Sequence, residues 1–287
     1  MKFEAPKFEE RKNPNIPHDV NHLREFKVLL GYLTLTLVVL WLLVEGLIRL
    51  APRFLSIELE RQWFAGVGTV LVTDGHSRQD SKMQALADGL ARHMGLPENS
   101  ISVYISSASV PNAYATFGGH VLIYQGLLDE LLYEESVAAV LAHEIAHIKH
   151  RDPLRAMSRT LFYSAIAATF GSDSHLQLLS GLEDMRYSRE LEEAADEAAI
   201  HALARYYGSA GGAESLFNTF KSLAHKKEES AGDERDSDFP LTWLSTHPDT
   251  ADRLARIREI AKEHGYSMNA PRLSNKWHKE QKTPDMP

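Results

Sequence analysis

Residues 138–152 read AAVLAHEIAHIKHRD. His143 and His147 are four apart, so on a helix they stand on one face, one turn from each other. Val137, Leu141, Ile145 and Ile148 supply an apolar stripe. The pattern predicts a helix from about Glu134 to His150, ended or kinked by Pro153. Ala138, Ala139, Ala142 and Ala146 are small enough to let other elements come close. The alternative at this point is a surface helix whose histidine rings find ordinary hydrogen-bond partners.

Two imidazole nitrogens on one face can meet one ion, and neutral imidazole suits zinc. Glu144 follows the first histidine, and its helical position lets it reach a water on that ion without being a ligand. An ion there lowers the pKa of the water toward about 7, so a neighbouring carboxylate can remove its proton. This is the H-E-x-x-H pattern. Catalytic zinc usually takes a third protein ligand. The candidate is in YSRELEEAADEAA, residues 187–199, on a helix expected over 181–206 and ending before Gly208. Glu192 and Asp196 share a face there. Glu192 is placed to bind the ion, and Asp196 to accept a hydrogen bond from the far nitrogen of a ligand histidine. Glu190 and Glu193 read as a solvated acidic face.

The chain has 287 residues and no cysteine, which removes disulfides, thiolate ligands and cysteine nucleophiles. A formal net charge of -8 argues against a nucleic-acid partner. VLLGYLTLTLVVLWLLVEGLI, residues 28–48, carries no charge until Glu45. At 1.5 Å per residue it is about 30 Å long, enough to cross a bilayer. A cleaved signal peptide fits poorly, because the run is long, starts late and lacks a small-residue cleavage pattern. Residues 28–50 therefore read as a transmembrane anchor. Arg11, Lys12, Arg24 and Lys27 precede it, and Arg49, Arg53 and Arg61 follow. The small excess favours an N-terminus in the cytoplasm and the bulk of the chain outside, periplasmic in a bacterium.

Residues 1–27 read as a polar arm and 51–265 as one domain. GTVLVT (68–73), SISVYISS (100–107) and HVLIY (120–124) look like strands. SRQDSKMQALADGLARHMG reads as a helix stopped by Gly95, and ADRLARIREIAKEHG as a helix closed by Gly265. LFYSAIAATF is too short to span a membrane and reads as core. The charged stretch at about 225–238 reads as a loop, and 266–287 as a loose polar tail.

Four segments carry a resemblance: PNAYATFGGHVLIYQGLL from Pro111, HEIAH from His143, SRELEEAAD from Ser188 and STHP from Ser245. Together they resemble the M48 zinc metallopeptidases, the HtpX-like group among them, over roughly residues 100–258. The resemblance implies an α+β fold: a mostly helical, zincin-like (gluzincin) domain with a small sheet. It implies one zinc on His143, His147 and Glu192, with Glu144 as general base and Asp196 closing the second motif. Asn112 and Ala113 match a strand segment lining the cleft, where an extended protein substrate would pair with the backbone. His247 matches a histidine that approaches the metal, to stabilise the oxyanion, gate the site or act as a fourth ligand in a latent state. Arg253 matches an arginine beside it, where positive charge would meet the developing oxyanion. The multi-span members have spans after the H-E-x-x-H helix, whereas this chain shows one, before the domain. The expectation is a membrane-anchored zinc metalloendopeptidase, with envelope protein quality control implied by the resemblance. The alternative is a catalytically silent zinc-binding or chaperone-like module on the same tether.

Overall fold

The computed structural model describes residues 21–68, 76–156, 187–230, 243, 247 and 250–278. The chain divides into two units, 1–50 and 51–287.

The first unit holds most of α1 (His22–Phe54), a single helix of 33 residues. Its apolar stretch, His22–Leu47, has mean hydropathy 2.2 and none of it is buried within the protein. Such a surface needs an apolar solvent. Polar side chains inside it satisfy themselves: the Thr34 and Thr36 hydroxyls donate back to the carbonyls of Leu30 and Tyr32, at 2.8 Å each.

The second unit is built around a four-stranded sheet and one central helix. β1 (Ser77–Arg78), β2 (Ser102–Ser106), β3 (Ala113–Thr116) and β4 (His120–Tyr124) lie in the order β1-β2-β4-β3. β2 and β4 are parallel and the other pairs antiparallel. β3 is therefore an edge strand. Gly118 and Gly119 turn the chain from β3 into β4 with φ of 79° and 77°, the left-handed region where a side chain is strained. A Cβ on Gly119 would also come within 2.1 Å of the Ser100 carbonyl.

Four helices frame the sheet before and after these strands: α2 (Ile57–Trp63), α3 (Ser81–His93), α4 (Gln125–Glu130) and α5 (Glu134–His150). α3 starts on Asp80, whose carboxylate accepts from the backbone N–H groups of Lys82 and Met83. α5 is buried on every side from Glu134 to Ile148. The four alanines make this possible, because α3, α6 (Arg189–Tyr207), α7 (Gly211–Ser230) and β3 all pack directly on it. α8 (Thr250–Glu263) lies against α6 and α7.

Several expectations are corrected. α5 does end at His150, but through Arg151, which caps it in the left-handed conformation at φ 65°. Pro153 instead lies in the first turn of a new helical stretch, 152–156, where its missing N–H costs nothing. α6 begins at Arg189, because 187–188 are not helical. α7 continues to Ser230, six residues into the stretch read as a charged loop. Lys and Glu at 226–229 are good helix formers, so charge there did not mean loop. The tail is not loose over 266–278: Trp277 and Asn275 are buried. The Asn275 amide donates to the Leu128 and Leu131 carbonyls, and the Trp277 indole to Asp80. LFYSAIAATF and residues 69–73 of GTVLVT lie outside the described residues; Gly68 sits in a helical turn.

Candidate metal centre

α5 presents His143 and His147 toward α6, which presents Glu192 and Asp196. His143 Nε2 and His147 Nε2 are 3.1 Å apart. Glu192 closes the set, with Oε2 at 3.3 Å from His143 Nε2 and Oε1 at 3.6 Å from His147 Nε2. His247 also arrives here, its Nδ1 at 2.8 Å from Glu192 Oε1 and 3.2 Å from His143 Nε2. One ligand atom from each of the four residues lies within 4.8 Å of every other, and all four residues are buried.

The chemistry of this donor set fits a divalent ion. His147 Nδ1 is 2.9 Å from Asp152 Oδ2 and His143 Nδ1 is 3.0 Å from Asp196 Oδ1. Each far nitrogen thus has a carboxylate to which it donates, which directs the lone pair of each Nε2 inward. Two such lone pairs 3.1 Å apart repel unless a proton or a cation sits between them. Ligand atoms about 2.0–2.1 Å from a tetrahedral zinc are about 3.3 Å from each other, the spacing found here. Glu192 Oε2 is buried and makes no well-formed hydrogen bond, although Arg253 Nη1 is 3.1 Å away.

The electrostatics show the same demand for positive charge. Burial disfavours a charged His143, but the Asp196 and Glu192 carboxylates outweigh it and raise its pKa to about 9. Burial alone would raise Glu192; hydrogen bonds from His143 and His247 hold it well below the usual carboxylate range. Burial pushes His247 down to about 3, against the pull of Glu192, so its ring is neutral. Asp196 sits at about 2, where the Arg253 guanidinium overcomes its burial.

Glu144 is fully buried beside this set. Oε2 accepts from the backbone N–H of Ala115, on β3, at 2.9 Å. Oε1 accepts from the Trp243 indole N–H at 3.0 Å and lies 3.5 Å from His247 Nε2. Burial raises its pKa to about 7 despite the charge of His143 and the Trp243 bond.

Arg253 does not face an open side. Its Nε and Nη2 both donate to Asp196 at 2.7 Å, and Nη1 donates to the His247 carbonyl at 3.1 Å. Its guanidinium braces the carboxylates, which differs from the expected place at an oxyanion. Asn112 and Ala113 are buried at the start of β3, and the Asn112 side chain accepts from Ala113 N–H at 2.9 Å. Tyr124 N–H donates to the Asn112 carbonyl. By the alternation of an antiparallel ladder, the N–H groups of residues 113 and 115 then point away from β4, where the Asn112 side chain and Glu144 accept from them. Glu190 and Glu193 are exposed.

Three residues at the site escaped the sequence reading. Asp152 is past the end of α5, where that helix's period no longer applies; its place five residues after His147 was its only signal. Trp243 is buried, stacks on Phe220 and contacts His143 and His247. Tyr187 stacks on His147 with ring centroids 4.1 Å apart. Nothing local marks either aromatic ring as part of a metal site.

A model of peptidase family M48 matches residues 77–261. The chain is similar to Protease HtpX of Legionella pneumophila (strain Philadelphia 1), 27% identical over 289 residues, covering 84% of this chain and 99% of that protein. It is also similar to the mitochondrial metalloendopeptidase OMA1 of Schizosaccharomyces pombe, 29% identical over 174 residues, 58% of this chain and 48% of the other. A third relative is a putative beta-barrel assembly-enhancing protease of Vibrio cholerae, 29% identical over 178 residues, 56% of this chain and 35% of that one.

Proposed function

The chain belongs to peptidase family M48 and is a membrane-tethered zinc metallopeptidase; from that premise we propose which residues do the chemistry and what they act on. His143, His147 and Glu192 hold zinc, with Asp152 and Asp196 orienting the two rings. The ion would polarise the scissile carbonyl and acidify the attacking water. Glu144 takes the proton from that water and passes it to the leaving amine. A base whose pKa lies near 7 can do both. Arg253 positions Asp196 and Glu192. The substrate is a protein segment in extended form, added to the edge of β3 at residues 113 and 115, where its backbone replaces the Asn112 side chain and Glu144 as acceptors. The observation that carries this reading is the convergence of three side chains from two helices, with Glu144 alongside.

The geometry also supports a resting form. His247 stands at ligand distance from the same point, and Trp243 holds the base. The Trp243 backbone N–H donates to the Pro111 carbonyl at 3.3 Å, just before β3. On this reading Trp243 and His247 stand where a substrate would lie, and both must withdraw before peptide enters. The one span found among the described residues, with a small excess of preceding cations, supports a cytoplasmic N-terminus and an outer-side domain, where damaged envelope proteins are the proposed substrates.

The test is Glu144→Gln in the full chain. Zinc content stays stoichiometric while cleavage of a denatured protein substrate falls by about 10²–10⁴-fold. Turnover at the wild-type rate refutes the assignment of the base. The same variant retains bound substrates for identification.

A further inference from the structure

α2 is the first helix after the span in sequence, and Glu60 is its one fully buried residue, 4% exposed, while its Leu59 and Trp63 are exposed. A buried carboxylate on a short helix with outward apolar residues inverts the usual pattern, so its partners matter. Glu60 Oε1 accepts from the backbone N–H of Gly118 at 2.7 Å. Glu60 Oε2 pairs with Arg151 Nη1, and Arg151 Nη2 donates to the Leu55 carbonyl. Arg151 is the left-handed cap of α5, with its own N–H bonded to the Ile148 carbonyl at 3.0 Å. A long side chain is disfavoured in that conformation, where glycine is at ease.

Both partners of Glu60 lead to the metal centre. Arg151 is followed by Asp152, which is 1% exposed and bonded to His147 Nδ1. Gly118 turns β3 into β4, and β3 holds Glu144 through Ala115. Asp152 opens the short helical stretch 152–156, so its place follows from how the chain turns at Arg151 between α5 and that stretch. Glu60 lies outside the stretch that the family model matches.

We propose that Glu60 and Arg151 are positioning residues of the metal centre: the clasp between α2 and the cap of α5 sets Asp152 against His147 and thereby the zinc affinity. The inference rests on His147 being a ligand. The alternative is an ion pair that only stabilises the fold, so the experiment separates affinity from stability.

Arg151→Gly removes the guanidinium and relieves the backbone, which protects the fold. Glu60→Gln keeps the volume and the Gly118 acceptor but removes the charge. Both are made in the full chain in detergent, and zinc affinity is measured by competition with a chelating dye beside metal-free melting. Affinity falls by about 10- to 100-fold in both variants, as for other losses around a ligand histidine, while metal-free melting stays near wild type. Wild-type affinity in both variants overturns the proposal. So does a loss of affinity that occurs only together with a loss of the metal-free fold. Failure of the wild-type chain to bind zinc at all would instead sink the metal reading itself.

Discussion

Glu144 illustrates how much one residue depends on its surroundings. The sequence placed it beside two histidines, and a carboxylate in water would have an ordinary acidity. Full burial raises it to about 7, and two donors, from Ala115 and Trp243, hold its oxygens. The Trp243 bond gives a prediction. Trp243→Phe keeps a ring against Phe220 but loses the indole N–H. A hydrogen bond to a charged group contributes about 1.5–3 kcal/mol, so the closed form loses at least about tenfold in population relative to the open one. The initial rate of peptide cleavage should rise by about tenfold or more, up to about 150-fold at the upper end of that range. An unchanged or lower rate, in a protein that melts like wild type, rules out Trp243 as the closing residue. At this scale the motif residues were legible because their spacing lies within single helices. Asp152, Tyr187 and Trp243 were not, because each reaches the site from a segment whose direction no helical period encodes.

Elements were read well where a period and a stop coincide. α3 carries Met83, Leu86 and Leu90 inward and stops before Gly95, whose φ is 77°. α8 and Gly265 repeat the arrangement. β3 was reached only by resemblance, since four residues between a proline turn and a glycine turn carry little alternation. The C-terminal segment was misread because its composition is polar, yet it closes the domain. Trp277 is 6% exposed, its indole donates to Asp80, and its carbonyl accepts from Gln125 at 2.8 Å. Trp277→Ala should cost about 3–5 kcal/mol. For a domain of this size that lowers the melting temperature by roughly 6–20 °C. A shift under about 2 °C in a thermal melt would show that the segment is an ornament on the domain.

The whole molecule concentrates charge where water is absent. Glu144, Asp152, Glu192 and Asp196 are buried together, with Arg253 as the fixed cation among them. An ion that binds the folded form stabilises it by about 4 kcal/mol at a thousand times its Kd. Removing metal with a chelator should lower the melting temperature, and added zinc should restore it. The pH dependence follows from His143, whose pKa of about 9 without metal means it carries a proton at neutral pH. Zinc takes the neutral ring, so uptake at pH 7 releases about one proton and affinity rises as pH climbs toward 9. Calorimetry in buffers of different ionisation enthalpy measures that release; no proton release would contradict the charge state of His143.

By itself the sequence determined the anchor, the metal-binding helix and the chemistry of its side chains. Each is a local matter: twenty apolar residues cannot stay in water, and residues four apart on a helix must share a face. Tertiary structure alone decided that Trp243 donates to Glu144, that Arg253 braces carboxylates, and that Glu60 grips the cap next to Asp152. Those contacts, with those of His247 to His143 and Glu192, join residues 55 to 104 positions apart, and their geometry is set by how buried helices fit around α5, which no local pattern in the chain records.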